Sequence, residues 1–257
     1  MNLLLVAADE VTEGRVLLGG RRAHHIRTVL RSAKGERLKV GIIGRGPCDA
    51  RLHALPDDGR VELALEAPAA APLPCLHVVL CVPRPKALSR IVATVSSFGA
   101  RSLTLINSWR VEKSYFSSDK LRPERLQADA LLGCEQGMLV HPPQITVMDK
   151  FLDFVEQHPT RRLSPDVPRI VFDPGARRTL LKMKGPLKVQ EPPAPSSCEA
   201  AVLLFGPDGG LVPQELSSLD AIGYQRVNLN TGPLRTETAV AAALGQWALL
   251  SEGNSSP

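Results

Sequence analysis

Hydrophobic and polar positions follow two different patterns along the chain. Over residues 1–70 the apolar residues come in short runs, Leu3–Ala7, Val16–Leu18, Leu38–Ile43 and Val61–Leu65. Gly-Gly, Lys-Gly, Gly-Arg-Gly-Pro and Asp-Asp-Gly sequences separate them. Short runs with turn residues at a spacing of about ten predict the strands of a small β-barrel. One short helix is expected at Arg22–Leu30, with Ile26, Val29 and Leu30 on a shared face. The stretch Ala67–Pro74 then holds Pro68, Pro72 and Pro74, which neither a strand nor a helix continues. It divides the chain into expected domains at 1–70 and 75–257.

The second domain has a longer period. His77–Val82 is an apolar run of strand length. Pro85–Phe98 carries Leu88, Ile91, Val92 and Val95 at i, i+3, i+4 and i+7, and Gly99 ends it. Ser102–Asn107 is the next strand. Strand, helix and strand in this order imply a parallel sheet with right-handed crossovers. The alternation continues with strands at Arg169–Asp173, Ala200–Phe205 and Gln225–Leu229. Helices are expected at Pro123–Gln136, Pro213–Ala221 and Arg235–Ser251, the last with Val240, Ala243, Leu244, Trp247 and Leu250 on one face. Pro159–Pro168 and Gly185–Ser197 read as loops. The fold class is therefore α/β.

Composition narrows the function classes. The chain has 257 residues, 44% hydrophobic and 22% charged, which excludes a disordered chain, a collagen-like repeat and a coiled coil. No apolar run reaches the length of a membrane span. The first residues lack a basic segment and reach Asp9 and Glu10 early, so they are expected to form a strand rather than a signal peptide. Five cysteines without a C-x-x-C pair favour reduced thiols and a cytoplasmic setting. The histidines show no ligand spacing, and no metal is expected. The net charge of +5 is modest, but its distribution is uneven. Nine Lys or Arg and a single acid, Glu36, lie between Arg15 and Arg45. Such a segment is a candidate phosphate-facing surface, with Arg22, His25, Arg27 and Arg31 as its candidate phosphate contacts. Aromatic residues make up only 4%.

In an open α/β sheet, ligands bind beyond the carboxyl ends of the strands. Three strand ends there are rich in Gly and Pro: Phe172–Gly175, Phe205–Gly210 and Leu229–Thr238. Together they would form a pocket walled by main-chain groups, suited to a nucleoside-like ligand. Gly206–Leu211 is neither a P-loop nor a G-x-G-x-x-G turn, and no G-x-S-x-G or H-E-x-x-H is present. Arg235 lies at the mouth of the expected pocket. Glu237 follows in the first turn of the last helix, where an acid complements the helix dipole and a neighbouring Thr can cap.

These residues also carry a family resemblance. Gly206-Pro207-Asp208-Gly209-Gly210 with Pro213-Gln214-Glu215-Leu216 resembles a GPEGG…E[IL] motif. Leu234-Arg235-Thr236-Glu237-Thr238-Ala239 matches LRTETA. His24–Arg31 with Lys34-Gly35-Glu36 resembles H-x-x-x-VLR…G[DE], and Glu135-Gln136 is similar to a mid-chain EQ pair. The family is ribosomal RNA small subunit methyltransferase E, the uridine N3-methyltransferases of 16S rRNA in the SPOUT superfamily. The resemblance implies a SPOUT-type parallel sheet with a deep trefoil knot, preceded by a small PUA-like β-barrel that helps hold RNA. It also implies S-adenosylmethionine as cofactor, 16S rRNA or the small ribosomal subunit as partner, and a homodimer with its active site near the subunit interface.

By the same resemblance, Phe172 and Asp173 fall in the first cofactor loop and Leu204, Gly206, Pro207 and Gly209 in the second. Leu229, Asn230, Leu234 and Thr236 fall in the third, with Arg235 and Glu237 as catalytic candidates. The chain departs from the usual LG-x-R-[IV]-LRTETA, with Asn230, Gly232 and Pro233 where Gly, Arg and an aliphatic residue are usual. At the end of the strand Ser102–Asn107, the family's arginine is present as Arg110, preceded by Trp109. Two rival functions follow from the same residues: a SPOUT methyltransferase with another target nucleotide, and an rRNA-binding assembly factor without catalysis. A dinucleotide-dependent oxidoreductase ranks below both, because the glycine fingerprint is missing.

Overall fold

The computed structural model describes residues 2–157, 163–182 and 201–252. It divides into two compact units, Met1–Pro72 with Cys134–Pro142, and Leu73–Gly133 with Pro143–Pro257.

The first unit is built on β1 (Leu4–Val6), β2 (Val11–Thr12), β3 (Arg15–Leu18), β4 (Arg37–Ile42), β5 (Gly46–Ala54) and β6 (Val61–Leu65). They form one sheet in the order β1-β4-β5-β6-β3-β2, parallel at β1–β4 and antiparallel elsewhere. Alternate residues turn inward, among them Val16 and Leu18, Cys48, Ala50 and Leu52, and Val61 and Leu63. β5 lies outside the expected strands, because Gly46, Cys48 and Ala50 are weak carriers of a hydrophobic alternation. Gly46 is required sterically: a Cβ there would lie 1.7 Å from the carbonyl oxygen of Ala69. The proline stretch after β6 runs against β5, where the Ala69 amide donates to Pro47 at 2.8 Å.

The expected helix at Arg22–Leu30 is present in altered form. α1 (Gly20–His24) continues into a π-helical turn, His25–Leu30, and ends at Arg31 in the left-handed region at φ 54°. A π turn closes i→i+5 bonds, so the three-and-four spacing of an apolar face no longer holds. Ala23 and Ile26 are buried, whereas Val29 and Leu30 are 63% and 46% exposed. The shared face expected of Ile26, Val29 and Leu30 does not form.

The second unit carries β7 (Leu76–Cys81), β8 (Ala100–Ile106), β9 (Gln144–Met148), β10 (Arg169–Phe172), β11 (Ala201–Phe205) and β12 (Tyr224–Val227). All are parallel, in the order β12-β10-β11-β7-β8-β9. Its helices are α2 (Pro85–Ser97), α3 (Lys113–Phe116), α4 (Pro123–Gly137, whose last turn is counted with the first unit), α5 (Phe151–Gln157), α6 (Pro213–Ala221) and α7 (Thr236–Glu252). Val78–Cys81, Leu103, Leu105, Ile170, Val171 and Val202–Leu204 pack in one core with Leu88, Ile91, Val92 and Val95 of α2 and Val240, Ala243, Leu244 and Trp247 of α7. Burial of each large aliphatic side chain there contributes about 1.5–3 kcal/mol.

The chain goes from β9 at one edge across to β10, returns to β11 beside β7, and then passes β10 to reach β12. The loops that follow β10, β11 and β12 consequently emerge at the same edge of the sheet.

Cys48 and Cys81 are free and buried, and Cys134 is buried. Cys75 is disulfide-bonded, contrary to the expectation of reduced thiols throughout. Cys198, the Gly185–Ser197 loop and residues 158–162 lie outside the described residues.

Candidate active site

The three loops are stitched together mainly by polar contacts. At the first, the Asp173 amide donates to the Val227 carbonyl at 2.9 Å, and the Asp173 carboxylate accepts from the Gly175 amide at 2.9 Å. Asn228 joins the first loop to the third. Its side-chain amide donates to the carbonyl of Ala176, its backbone amide to that of Arg178 at 2.8 Å, and its Oδ1 accepts from the Asn230 amide at 2.8 Å. This last bond supports Asn230 in the left-handed region at φ 59°, a conformation Asn tolerates better than most residues. Gln246 of α7 holds the third loop from behind, donating to the Leu229 carbonyl at 3.2 Å.

Asp208 joins the second loop to the third. Its Oδ1 accepts from the Thr236 hydroxyl at 2.7 Å, and its Oδ2 pairs with Arg84 Nε at 2.9 Å. Arg84 follows β7 and immediately precedes α2. The link Arg84–Asp208–Thr236 therefore runs from the end of β7 through the second loop to the first residue of α7. Arg110, after β8, donates to the Gly209 carbonyl. Gly210 takes φ +73° as the loop turns.

Buried Glu215 anchors the base of the second loop. It accepts from the Trp109 amide at 2.8 Å and the Val212 amide at 2.9 Å. Beneath the loops, Phe172 and Phe205 stack with ring centroids 4.8 Å apart. The thiol of Cys81 is pushed up to about 12 by burial, with the charge of Glu215 adding to the shift. It stays protonated and offers no nucleophile.

The sequence candidates occupy different places around this edge. Gly206, Pro207 and Gly209 form the second loop, and Asp173, Asn230 and Leu234 lie on the first and third. Leu204, Phe172 and Leu229 are buried and support the loops from below. Thr236 is also buried, and its hydroxyl is committed to Asp208. Arg235 caps α7 through its carbonyl, which accepts from the Ala239 amide at 2.9 Å. Its side chain is exposed and makes no hydrogen bond or ion pair among the described residues. Glu237 is half-buried in the first turn of α7 and forms no pair with Arg235. Sequence reading missed the roles of Arg84, Asn228, Gln246 and Glu215, whose partners lie far along the chain. The one available signal was Asp208 inside a Gly-Pro-Asp-Gly-Gly turn.

The RNA candidates of the first unit also separate. Arg22 pairs with Glu10 at 2.5 and 2.8 Å and donates to the Leu5 carbonyl at 3.1 Å. The hydrogen bond from Arg22 holds the Glu10 carboxyl below its usual range. Arg27 donates to the carbonyls of Pro56 and Arg60, the latter at 2.8 Å from Nη2. Both guanidinium groups are thus spent within the unit. His25 is half-buried, and Arg31 is exposed and unpaired among the described residues. Arg21 holds both oxygens of buried Glu135 at 2.9 Å.

The chain is similar to known RNA methyltransferases. An RNA methyltransferase domain family matches residues 70–248. Ribosomal RNA small subunit methyltransferase E of Treponema pallidum is 30% identical over 247 residues, covering 95% of this chain and 89% of the relative. The enzyme named ribosomal RNA small subunit methyltransferase E 1 of Borreliella burgdorferi is 22% identical, covering 95% of each. The crystal structure of the Neisseria gonorrhoeae enzyme of the same name, bound to S-adenosylmethionine, superposes with a TM-score of 0.75 at 19% identity. It covers 97% of this chain and 98% of that one, a likeness of fold.

Proposed function

We propose that this chain, which belongs to the ribosomal RNA small subunit methyltransferase E family, is an S-adenosylmethionine-dependent methyltransferase acting on N3 of a uridine in 16S rRNA. The observation that carries this reading is the convergence of three stitched loops at one edge of a parallel sheet, with an unpaired arginine at the start of α7. In the same reading the second unit is a SPOUT domain with a deep trefoil knot, and the first is a PUA-like β-barrel that binds RNA. The enzyme acts as a homodimer in the cytoplasm, with the small ribosomal subunit as its partner.

The loops suit a nucleoside cofactor. Gly210 turns the second loop at φ +73°, a conformation that suits glycine, the stacked Phe172 and Phe205 give an apolar floor, and Asp173 offers a carboxylate. The main chain of 206–210, 173–175 and 229–234 would hold the adenosine portion. When bound, S-adenosylmethionine supplies an electrophilic methyl carbon on a sulfonium sulfur.

The remaining chemistry belongs to the protein. N3 of uridine carries a proton and is a poor nucleophile until that proton leaves. The charge then spreads to O2 and O4, where a guanidinium stabilises it. Arg235 has the required permanent charge and fixed donor fork, and no intramolecular partner among the described residues competes for them. Glu237, two residues on, is the acceptor for the N3 proton. The loops supply proximity by holding the reacting atoms at near-attack distance.

Calorimetry with S-adenosylmethionine tests the cofactor assignment. The wild type should bind, and Gly210→Val should weaken binding at least tenfold, because a β-branched residue is strained at φ +73°. Equal binding by the two proteins would remove the second loop from the cofactor site.

A further inference from the structure

Trp109 is the most exposed large hydrophobic residue among those described, at 84%, in a chain with only two tryptophans. Nothing in the cofactor loops requires it. It occupies a corner of the turn after β8, closed by the Val111 amide donating to the Ser108 carbonyl at 3.0 Å. Every neighbouring position in that turn is fixed. Glu215 accepts from the Trp109 amide at 2.8 Å, Ser108 and Val111 are buried, and Arg110 is tied to the carbonyl of Gly209. An indole left in water on a rigid turn is an apolar surface with no intramolecular purpose. The backbone that carries it is already ordered by the fold, which lowers the cost of binding.

The surroundings specify what would cover it. Trp109 stands beside the second of the three loops, through Arg110 and Glu215. The adjacent Arg110 is exposed and basic, Glu112 and Lys113 are exposed further along the chain, and Arg84 reaches the second loop from the start of α2 through its pair with Asp208. An aromatic face with cations around it suits a base joined to a phosphate backbone. Chemistry on a base requires that the base or its neighbours be unstacked from the RNA.

We infer that Trp109 is a stacking platform for an unpaired nucleobase of the RNA, either the target base or its immediate neighbour, held next to the second loop by Glu215 and Arg110. The inference rests on the reading of the chain as an RNA methyltransferase. It adds a substrate-binding residue that lies outside the three loops.

Tryptophan emission provides a direct test on the full-length protein. The difference between wild type and Trp109→Phe isolates the Trp109 signal from that of buried Trp247. Titration with a single-stranded uridine-rich RNA oligonucleotide should quench that signal saturably. Trp109→Ala should weaken RNA affinity by about ten- to one-hundredfold, as expected for loss of one stacked base. Trp109→Phe should retain most of the affinity, and both variants should bind S-adenosylmethionine within twofold of wild type.

RNA affinity unchanged in Trp109→Ala would overturn the inference. So would an emission shift that depends on protein concentration alone, which would assign the indole to a contact between two copies of the chain. Failure of the wild type to bind S-adenosylmethionine would instead overturn the functional reading beneath it.

Discussion

Removing the carboxylate of Asp208 tests whether the second and third loops act as one unit. The Thr236 hydroxyl is buried and donates at 2.7 Å to Asp208, which also meets Arg84 at 2.9 Å. A hydrogen bond to a charged group contributes about 1.5–3 kcal/mol, and a buried hydroxyl left without its acceptor is costly. The Arg84 pair is 53% and 38% exposed, so it adds no more than about 1 kcal/mol. Asp208→Ala should therefore destabilise the second unit by about 2–3 kcal/mol. Asp208→Asn keeps an acceptor for Thr236 and should cost about 1 kcal/mol. Thr236→Val alone leaves Asp208 free to rehydrate and should also cost about 1 kcal/mol.

The double variant Asp208→Ala with Thr236→Val removes both partners. It should cost at least about 1 kcal/mol less than the sum of the singles, because no buried group is left unpaired. Urea unfolding followed by circular dichroism measures all four variants against the wild type. Calorimetry should show S-adenosylmethionine affinity falling about tenfold in Asp208→Ala, a loss equivalent to about 1.4 kcal/mol. Single-variant costs that add to within about 0.5 kcal/mol would refute the coupling, and unchanged cofactor affinity would refute its bearing on the site.

The remaining predictions address other parts of the molecule. Glu215→Ala leaves two amides without their acceptor and should destabilise by about 3–5 kcal/mol, with Glu215→Gln losing roughly half as much, by denaturant titration. His77 is held neutral by burial, with Arg101 adding to the effect, and its pKa falls to about 4. The unfolded chain therefore takes up a proton that the native state refuses. Stability from this residue is complete above about pH 6.5 and is lost as pH falls toward 4. Melting temperature against pH should be flatter across that window in His77→Gln. Arg27→Ala should cost about 1–2 kcal/mol in stability, whereas Arg31→Glu should leave stability unchanged and lower the salt dependence of RNA binding by about one phosphate contact. Arg235→Ala should lower kcat by about 10²–10³ while cofactor affinity stays within twofold, measured by single-turnover methylation.

The parallel sheet was legible because its strands are buried on both faces and read as continuous apolar runs, as at Ala201–Phe205. Helix α6 matches its expected bounds, with Pro213 at its start. β9 was missed although Gln144-Ile145-Thr146-Val147 alternates polar and apolar; the run is only five residues long and exposed along much of its length, Val147 included. α5 passed unnoticed behind it, with Phe154 as its single fully buried residue. The π turn at His25–Leu30 escaped because no residue type marks an i→i+5 turn, and only the burial of Ile26 without Val29 reveals it.

The three loops at the sheet edge could be located from their glycines and prolines. The side chains that join them could not, because Arg84, Asp208 and Thr236 meet across 124 and 28 residues of chain. The same difficulty applies to Arg22 and Arg27. Their charges were evident in the sequence, but the carboxylate and carbonyl groups that consume them become visible only in the folded unit.

The central claim is methyl transfer to uridine N3 in small-subunit rRNA. The most direct measurement incubates the protein with labelled S-adenosylmethionine and small ribosomal subunits lacking the modification, then identifies the labelled nucleoside after digestion. The account predicts label in 3-methyluridine, and little or none with Arg235→Ala. Label in a different nucleoside, or no label from a protein that binds both cofactor and subunit, would contradict it.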